Sequence, residues 1–83
     1  MSADAAVGPD AEVDARGQRC PLPVIRLARA AADLGPGALV RVLATDPAAA
    51  TDVPAFCRMR GHALVATQDA GDGATAYDVR VGG

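Results

Sequence analysis

The fold is decided by residues 20–44, CPLPVIRLARAAADLGPGALVRVLA. From Pro21 onward Val24, Leu27, Ala28, Ala31 and Leu34 recur at helical spacing, with Arg26, Arg29 and Asp33 on the other side, which describes an amphipathic helix. Gly35-Pro36-Gly37 stops it, because glycine suits the left-handed position after a helix and proline cannot continue one. Ala38–Ala44 is then a nearly continuous aliphatic run, as expected of a central strand with both faces largely covered.

Upstream, Glu12-Val13-Asp14-Ala15 alternates polar and apolar and suits a short, half-buried strand. Strand, helix and strand in succession imply a parallel pair joined by a right-handed crossover. Downstream, Thr45-Asp46-Pro47 ends the central strand and Thr51–Arg60 forms a second helix closed by Gly61. Its start is placed at Thr51, because a helix beginning at Ala48 would carry Pro54 in its interior at a cost of about 3 kcal/mol. His62–Gln68 reads as a third strand, Asp69–Gly73 as a turn and Thr75–Val81 as a fourth strand. In that last strand Tyr77, Val79 and Val81 alternate with Ala76, Asp78 and Arg80, so one face is expected to be wet. The sum is an α/β (α+β) two-layer sandwich in the order βαβαββ, with two helices on one face of a four-stranded mixed sheet. Residues 1–10 are rich in Ala, Asp, Gly and Pro without periodicity and read as a disordered lead-in; residues 11–83 make one domain.

An 83-residue chain buries only about 60% of the surface its unfolded form exposes. Alanine supplies much of the apolar content and there is no Trp, one Tyr and one Phe, so the core is thin and aliphatic. All eight basic residues are arginine, and the net charge of −2 argues against direct binding of nucleic acid, which favours a strongly basic face. No stretch approaches the roughly 18 consecutive apolar residues of a membrane span, and MSADAAVGPD lacks the marks of a signal peptide. A cytoplasmic location is the expectation, where two cysteines are reduced thiols and not a structural disulfide.

Against this frame Cys20 stands at the N-cap of the first helix, on the connection leaving the first strand, where open α/β sheets present functional groups. The helix dipole and Arg16, Arg19 and Arg26 are expected to favour its thiolate, the reactive form. Pro21 and Pro23 fit the first helical turn and fix where the sulfur sits, leaving Leu22 as the one N–H donor among the first three helical positions. A thiolate stabilised by field more than by hydrogen bonds keeps its nucleophilicity, which suits handing a group on.

Asp14-x-Arg16-Gly17-x-x-Cys20-Pro21-Leu22-Pro23 resembles the CPxP signature of the TusA/SirA-type sulfur carriers. The resemblance continues through Thr45-Asp46-Pro47, Asp52-Val53-Pro54-Ala55-Phe56-Cys57 and Gly61-His62-x-Leu64, covering about residues 12–81. It implies a carrier, a sulfurtransferase without cofactor, whose Cys20 takes sulfane sulfur as a persulfide from a cysteine desulfurase or rhodanese-type donor and passes it to the next protein of a relay. Family destinations are tRNA thiolation, molybdenum-cofactor assembly and sulfur oxidation. A monomer that forms brief complexes with donor and acceptor is the expected state.

Other residues carry competing readings. Asp14 and Arg16 either pair on the surface or set the loop that presents Cys20, and Gly17 serves a backbone conformation other residues resist. Arg19 and Asp46 are candidate neighbours of the active loop, Asp46 alternatively a turn or capping residue before Pro47. Cys57, among Phe56 and Met59, reads as a small buried hydrophobe or else as a resolving thiol for a thiol-disulfide module, which requires it to be exposed. His62 reads as a surface or strand-start residue. No metal site is expected, because Cys20, Cys57 and His62 supply three soft ligands where a closed zinc site takes four. Two further alternatives are a non-enzymatic regulatory adaptor and sulfur carriage on the terminal Gly82-Gly83.

Overall fold

A hydrogen-bonded pairing at each sequence-marked boundary builds the architecture seen in a computed structural model, which describes residues 8–82. The order is β1 (Ala11–Ala15), α1 (Leu22–Leu34), β2 (Leu39–Ala44), α2 (Ala49–Arg60), β3 (Ala63–Gly71) and β4 (Ala74–Arg80). The strands lie side by side as β1-β2-β4-β3, with β1 and β2 parallel and the other neighbours antiparallel. This is the expected βαβαββ mixed sheet with two helices. Residues 1–7 of the expected disordered lead-in lie outside the described residues. Its last residue, Asp10, is already tied to β2: its N–H donates to the Leu39 carbonyl at 2.7 Å and its carboxylate accepts the Leu39 N–H at 2.8 Å.

The apolar stripe of α1 does what its spacing implies. Pro23, Leu27 and Ala31 are buried, Leu27 completely, against Val40 and Val42 of β2, Val79 of β4 and Val53, Phe56 and Cys57 of α2. Gly35 ends α1 with φ of 85°, donating its N–H to the Ala31 carbonyl at 3.0 Å. β2 is covered less evenly than its composition suggests. Val40, Val42 and Ala44 are buried while Leu39, Arg41 and Leu43 are half-buried.

The second helix begins earlier than Pro54 suggests. Ala48 replaces Thr51 at the N-cap, and Asp46 holds the turn before it: its Oδ1 accepts the Ala48 N–H at 3.0 Å and its backbone carbonyl accepts the Ala49 N–H at 3.0 Å. The three alanines 48–50, the strongest helix formers, then carry the first turn. Pro54 therefore sits inside the helix, and the burial of Val53, Phe56 and Cys57 on either side of it offsets the hydrogen bond it cannot make. With α2 starting at Ala49, Asp52 is the acidic residue of its first turn.

Two further corrections concern the hairpin. β3 runs to Gly71, longer than expected, because Asp72-Gly73 alone makes the turn: both residues have positive φ, 53° and 79°, as a type I′ turn requires. The face of β4 expected to be wet is buried at Ala76 and Asp78 and exposed only at Arg80. β4 lies between β2 and β3, and Asp78, only 6% exposed, takes both ends of the Arg41 guanidinium, at 2.7 Å (Nε to Oδ1) and 3.1 Å (Nη2 to Oδ2). The alternation was correct in period, and the buried position of the strand turned a water-facing aspartate into half of a bidentate pair.

Gly82 closes the domain. Its N–H donates to Nδ1 of His62 at 2.9 Å, and a Cβ at this position would overlap the Gly61 carbonyl oxygen at 1.7 Å. His62, expected at the surface or a strand start, stands just before β3, thus holds Gly82, and packs its ring tilted against Phe56 with centroids 5.3 Å apart. Replacing Leu27 with Ala is expected to cost about 3 kcal/mol, because this site is closed on all sides and cannot collapse. Urea denaturation measures it, and a loss below about 1 kcal/mol would place the centre of the core elsewhere.

Candidate functional site

Three segments meet at the carboxyl ends of β1 and β2: the loop Arg16–Arg19, the Thr45-Asp46-Pro47 turn and the first half of α2. The loop folds on itself first. Asp14 accepts the Arg16 amide at 3.1 Å and its guanidinium at 2.8 Å (Nε) and 2.7 Å (Nη2). Arg16 side-chain and backbone hydrogen bonds hold the Asp14 carboxyl well below the ordinary carboxylate range. The Gln18 N–H returns to the Ala15 carbonyl at 3.1 Å around Gly17, whose φ of 80° disfavours any side chain. Arg26 reaches back from α1 to the Asp14 carbonyl and the Gln18 side chain. The Asp14–Arg16 pair is half exposed and contributes little as a salt bridge, but its contact with the Arg16 amide shapes the loop. Both readings of the pair therefore describe it.

The loop is then fastened to the β2–α2 turn. The Gly17 N–H donates to Thr45 Oγ1 at 2.9 Å, and the Cys20 N–H donates to Asp46 Oδ2 at 2.6 Å. Asp46 thus bridges Cys20 and the start of α2, and these two N–H groups lower its pKa, with Arg19 adding a smaller Coulombic contribution. Of the expected neighbours of Cys20, Asp46 makes direct contact and Arg19 stands beside Asp46; Asp14, Arg16 and Gly17 shape the loop at one remove.

Cys20 itself is exposed, but its surroundings are not those expected. α1 begins one residue later, with Pro21 at the N-cap, Leu22 at the first helical position and Pro23 at the second, so Cys20 precedes the cap. The Leu22 N–H donates to the Arg19 carbonyl at 2.8 Å and is not free to face the sulfur. Sγ donates to Asp52 Oδ2 at 2.7 Å. That hydrogen bond, followed by desolvation and the negative charges of Asp52 and Asp46, raises the Cys20 pKa. The thiol is therefore held protonated, where the helix field and the arginines were expected to favour thiolate. The physical reason is distance: Arg16 and Arg26 are engaged by Asp14 and Gln18, and a carboxylate in direct contact outweighs the field of a helix end.

Asp52 is the site residue that reading the sequence missed. It belongs to the matched Asp52–Cys57 segment, but its partner Cys20 lies 32 residues away in sequence, and only the fold brings the two together. Beside the sulfur, Pro21, Val24, Ala55, Phe56 and Met59 line a shallow apolar groove between the helices, and Met59 is 78% exposed. Cys57 is buried at 3% exposure, and burial pushes its thiol pKa up. The resolving-thiol reading needed it exposed and does not survive.

Residues 11–81 match the family model described as Sulfurtransferase TusA. The chain belongs to the TusA family. It is 48% identical over 60 residues to the Sulfur carrier protein TusA of Pseudomonas paraeruginosa, covering 72% of this chain and 76% of that protein. The TusA of Pseudomonas syringae pv. syringae is 48% identical over 71 residues, covering 86% and 83%. Among solved structures, a SirA-like protein from Desulfitobacterium hafniense superposes with a TM-score of 0.78 at 28% identity, covering 88% of this chain and 99% of that one. A sulfur-carrier role follows from TusA membership, and with it encounters with a sulfur donor and a sulfur acceptor protein. Among the described residues no helix is long and apolar enough to cross a membrane.

In this TusA-family site the carboxylate at 52 is the dominant control on the thiol. Asp52→Asn is expected to lower the Cys20 pKa and speed alkylation by iodoacetamide at neutral pH severalfold, measured as rate against pH. An unchanged profile would mean that the Sγ–Asp52 contact does not persist in solution.

Proposed function

We propose that Cys20 carries sulfane sulfur as a persulfide, taken from a cysteine desulfurase or rhodanese-type donor and passed to the next protein of a cytoplasmic relay. The observation that carries this reading is the contrast between the two cysteines: Cys20 is exposed beside an apolar groove and Cys57 is buried. In loading, Cys20 loses its proton, and its sulfur attacks the terminal sulfur of the donor persulfide. The donor's S–S bond breaks as the Cys20 Sγ–S bond forms, and the donor cysteine leaves as a thiolate. The proton released by Cys20 passes to solvent, and the transferred sulfur keeps its oxidation state, so no oxidant or reductant enters.

Residues 11–83 act as one carrier domain, preceded by the short lead-in 1–10. Asp14, Arg16 and Gly17 shape the presenting loop, Pro21 and Pro23 fix the start of α1, and Arg19 and Asp46 hold the junction. A small acidic chain of this kind works as a monomer, through short-lived complexes whose apolar contact is the groove lined by Phe56 and Met59. Family resemblance sets the range of destinations as tRNA thiolation, molybdenum-cofactor assembly or sulfur oxidation.

Incubation with a cysteine desulfurase and cysteine, followed by intact mass measurement, tests the proposal. The wild type is expected to gain one sulfur and Cys20→Ala none; an adduct that survives the substitution, or no adduct on either, contradicts it. Because a thiolate attacks and the Cys20 pKa is raised, loading is expected to accelerate as pH rises from neutrality toward the thiol's titration. A loading rate that falls over that range would point to a different nucleophile.

A further inference from the structure

Asp52 meets Cys20 through a hydrogen bond that exists only while the sulfur carries a proton. The donor is Sγ itself, 2.7 Å from Oδ2, and a persulfide has no hydrogen on Sγ to give. Building on the carrier reading above, we propose that Asp52 sets the sulfur affinity of Cys20 by stabilising the empty carrier and disfavouring the loaded one, so that sulfur is passed on and not retained.

The rigidity of the site makes this bias effective. Asp46 holds the Cys20 N–H with one oxygen and the Ala48 N–H with the other, so the Cys20 backbone and the helix bearing Asp52 share one frame. In the empty state the carboxylate accepts a charge-assisted hydrogen bond, stronger than a neutral one. In the loaded state the same carboxylate faces the unprotonated Sγ and, beyond it, a sulfane sulfur that is anionic because persulfides are more acidic than thiols. Neighbouring charges do not cancel the repulsion. Asp46 is the second carboxylate acting on the thiol, Arg19 acts on Asp46, and Arg16 is paired with Asp14.

The exchange that Asp52 biases is Cys20–S–S⁻ plus an acceptor thiol R–SH giving Cys20–SH plus R–S–S⁻. The acceptor sulfur attacks the sulfane sulfur, the bond from Sγ to that sulfur breaks, and the acceptor's proton ends on Sγ. The transferred sulfur keeps its oxidation state, so no outside oxidant or reductant enters. The product thiol is the species Asp52 holds, which draws the equilibrium toward release.

The test equilibrates the full chain with glutathione and glutathione persulfide at a fixed ratio and reads the loaded fraction of Cys20 by intact mass. Asp52→Asn is expected to raise the ratio of loaded to empty carrier about fivefold over wild type, the effect of one partly exposed charged hydrogen bond. Asp52→Glu, which keeps a carboxylate, is expected to stay closer to wild type than Asp52→Asn does. Thermal melts of all three separate this from a scaffold role, since a merely structural Asp52 would change the melting temperature and leave the exchange ratio alone. A wild type that loads while Asp52→Asn gives the same ratio overturns the proposal and leaves the carrier reading standing. A wild type that takes up no sulfur at all overturns the carrier reading itself.

Discussion

The Asp46 carboxylate is the constraint on which the site depends. It spans two β–α junctions, accepting the N–H of Cys20 with one oxygen and that of Ala48 with the other. The first bond fixes the sulfur-bearing residue just ahead of α1, and the second holds the turn leading into α2, whose first turn carries Asp52. The parallel pairing of β1 with β2 puts both junctions at the same end of the sheet, so one short side chain can reach across. Both bonds join an ionised acceptor to a backbone donor, which makes them stronger than neutral ones.

From this constraint follows an unexpected resting state for a reactive cysteine. Reactive thiols are commonly activated by cations or helix N-termini that favour the thiolate. Here the nearest charge is negative, and the sulfur is kept as a thiol that donates to Asp52. A carrier differs from a catalyst in that it must be left empty after each cycle. Holding the protonated form favours the empty state, and it also spares an exposed cysteine from oxidation, which follows thiolate character. Beside it lies the mainly apolar groove that includes Asp52, with Met59 largely exposed.

The order of elements was legible because three signals agreed: helical spacing from Val24 to Leu34, punctuation at Gly35-Pro36-Gly37 and Gly61, and alternation in the final strand. Cys20 as the exposed sulfur and Cys57 as the buried one were also readable, from the turn before α1 and from the apolar neighbours of Cys57. What misled was local reasoning about single residues whose partners are distant in sequence. Pro54 argued for a late α2 because its penalty is local, while the packing of Val53 and Phe56 that outweighs it is not. The arginines near Cys20 in sequence suggested an electropositive site, yet Arg16 turns to Asp14 and Arg26 to the loop carbonyl. Asp52 lies 32 residues from Cys20, and only the parallel pairing of β1 with β2, which puts both β–α junctions at one end of the sheet, brings the two together. Asp78 followed the same rule, since its burial comes from strand order and not from its own strand's pattern.

The central claim, that Cys20 rests as a neutral thiol under carboxylate control, is tested most directly by titrating the thiolate through its ultraviolet absorbance in the folded protein, with Cys20→Ala as the blank. The account predicts a midpoint above the ordinary cysteine value of about 8.5. A midpoint well below that value would contradict it, and would return the site to the cation- and helix-activated thiolate that the neighbouring arginines first suggested.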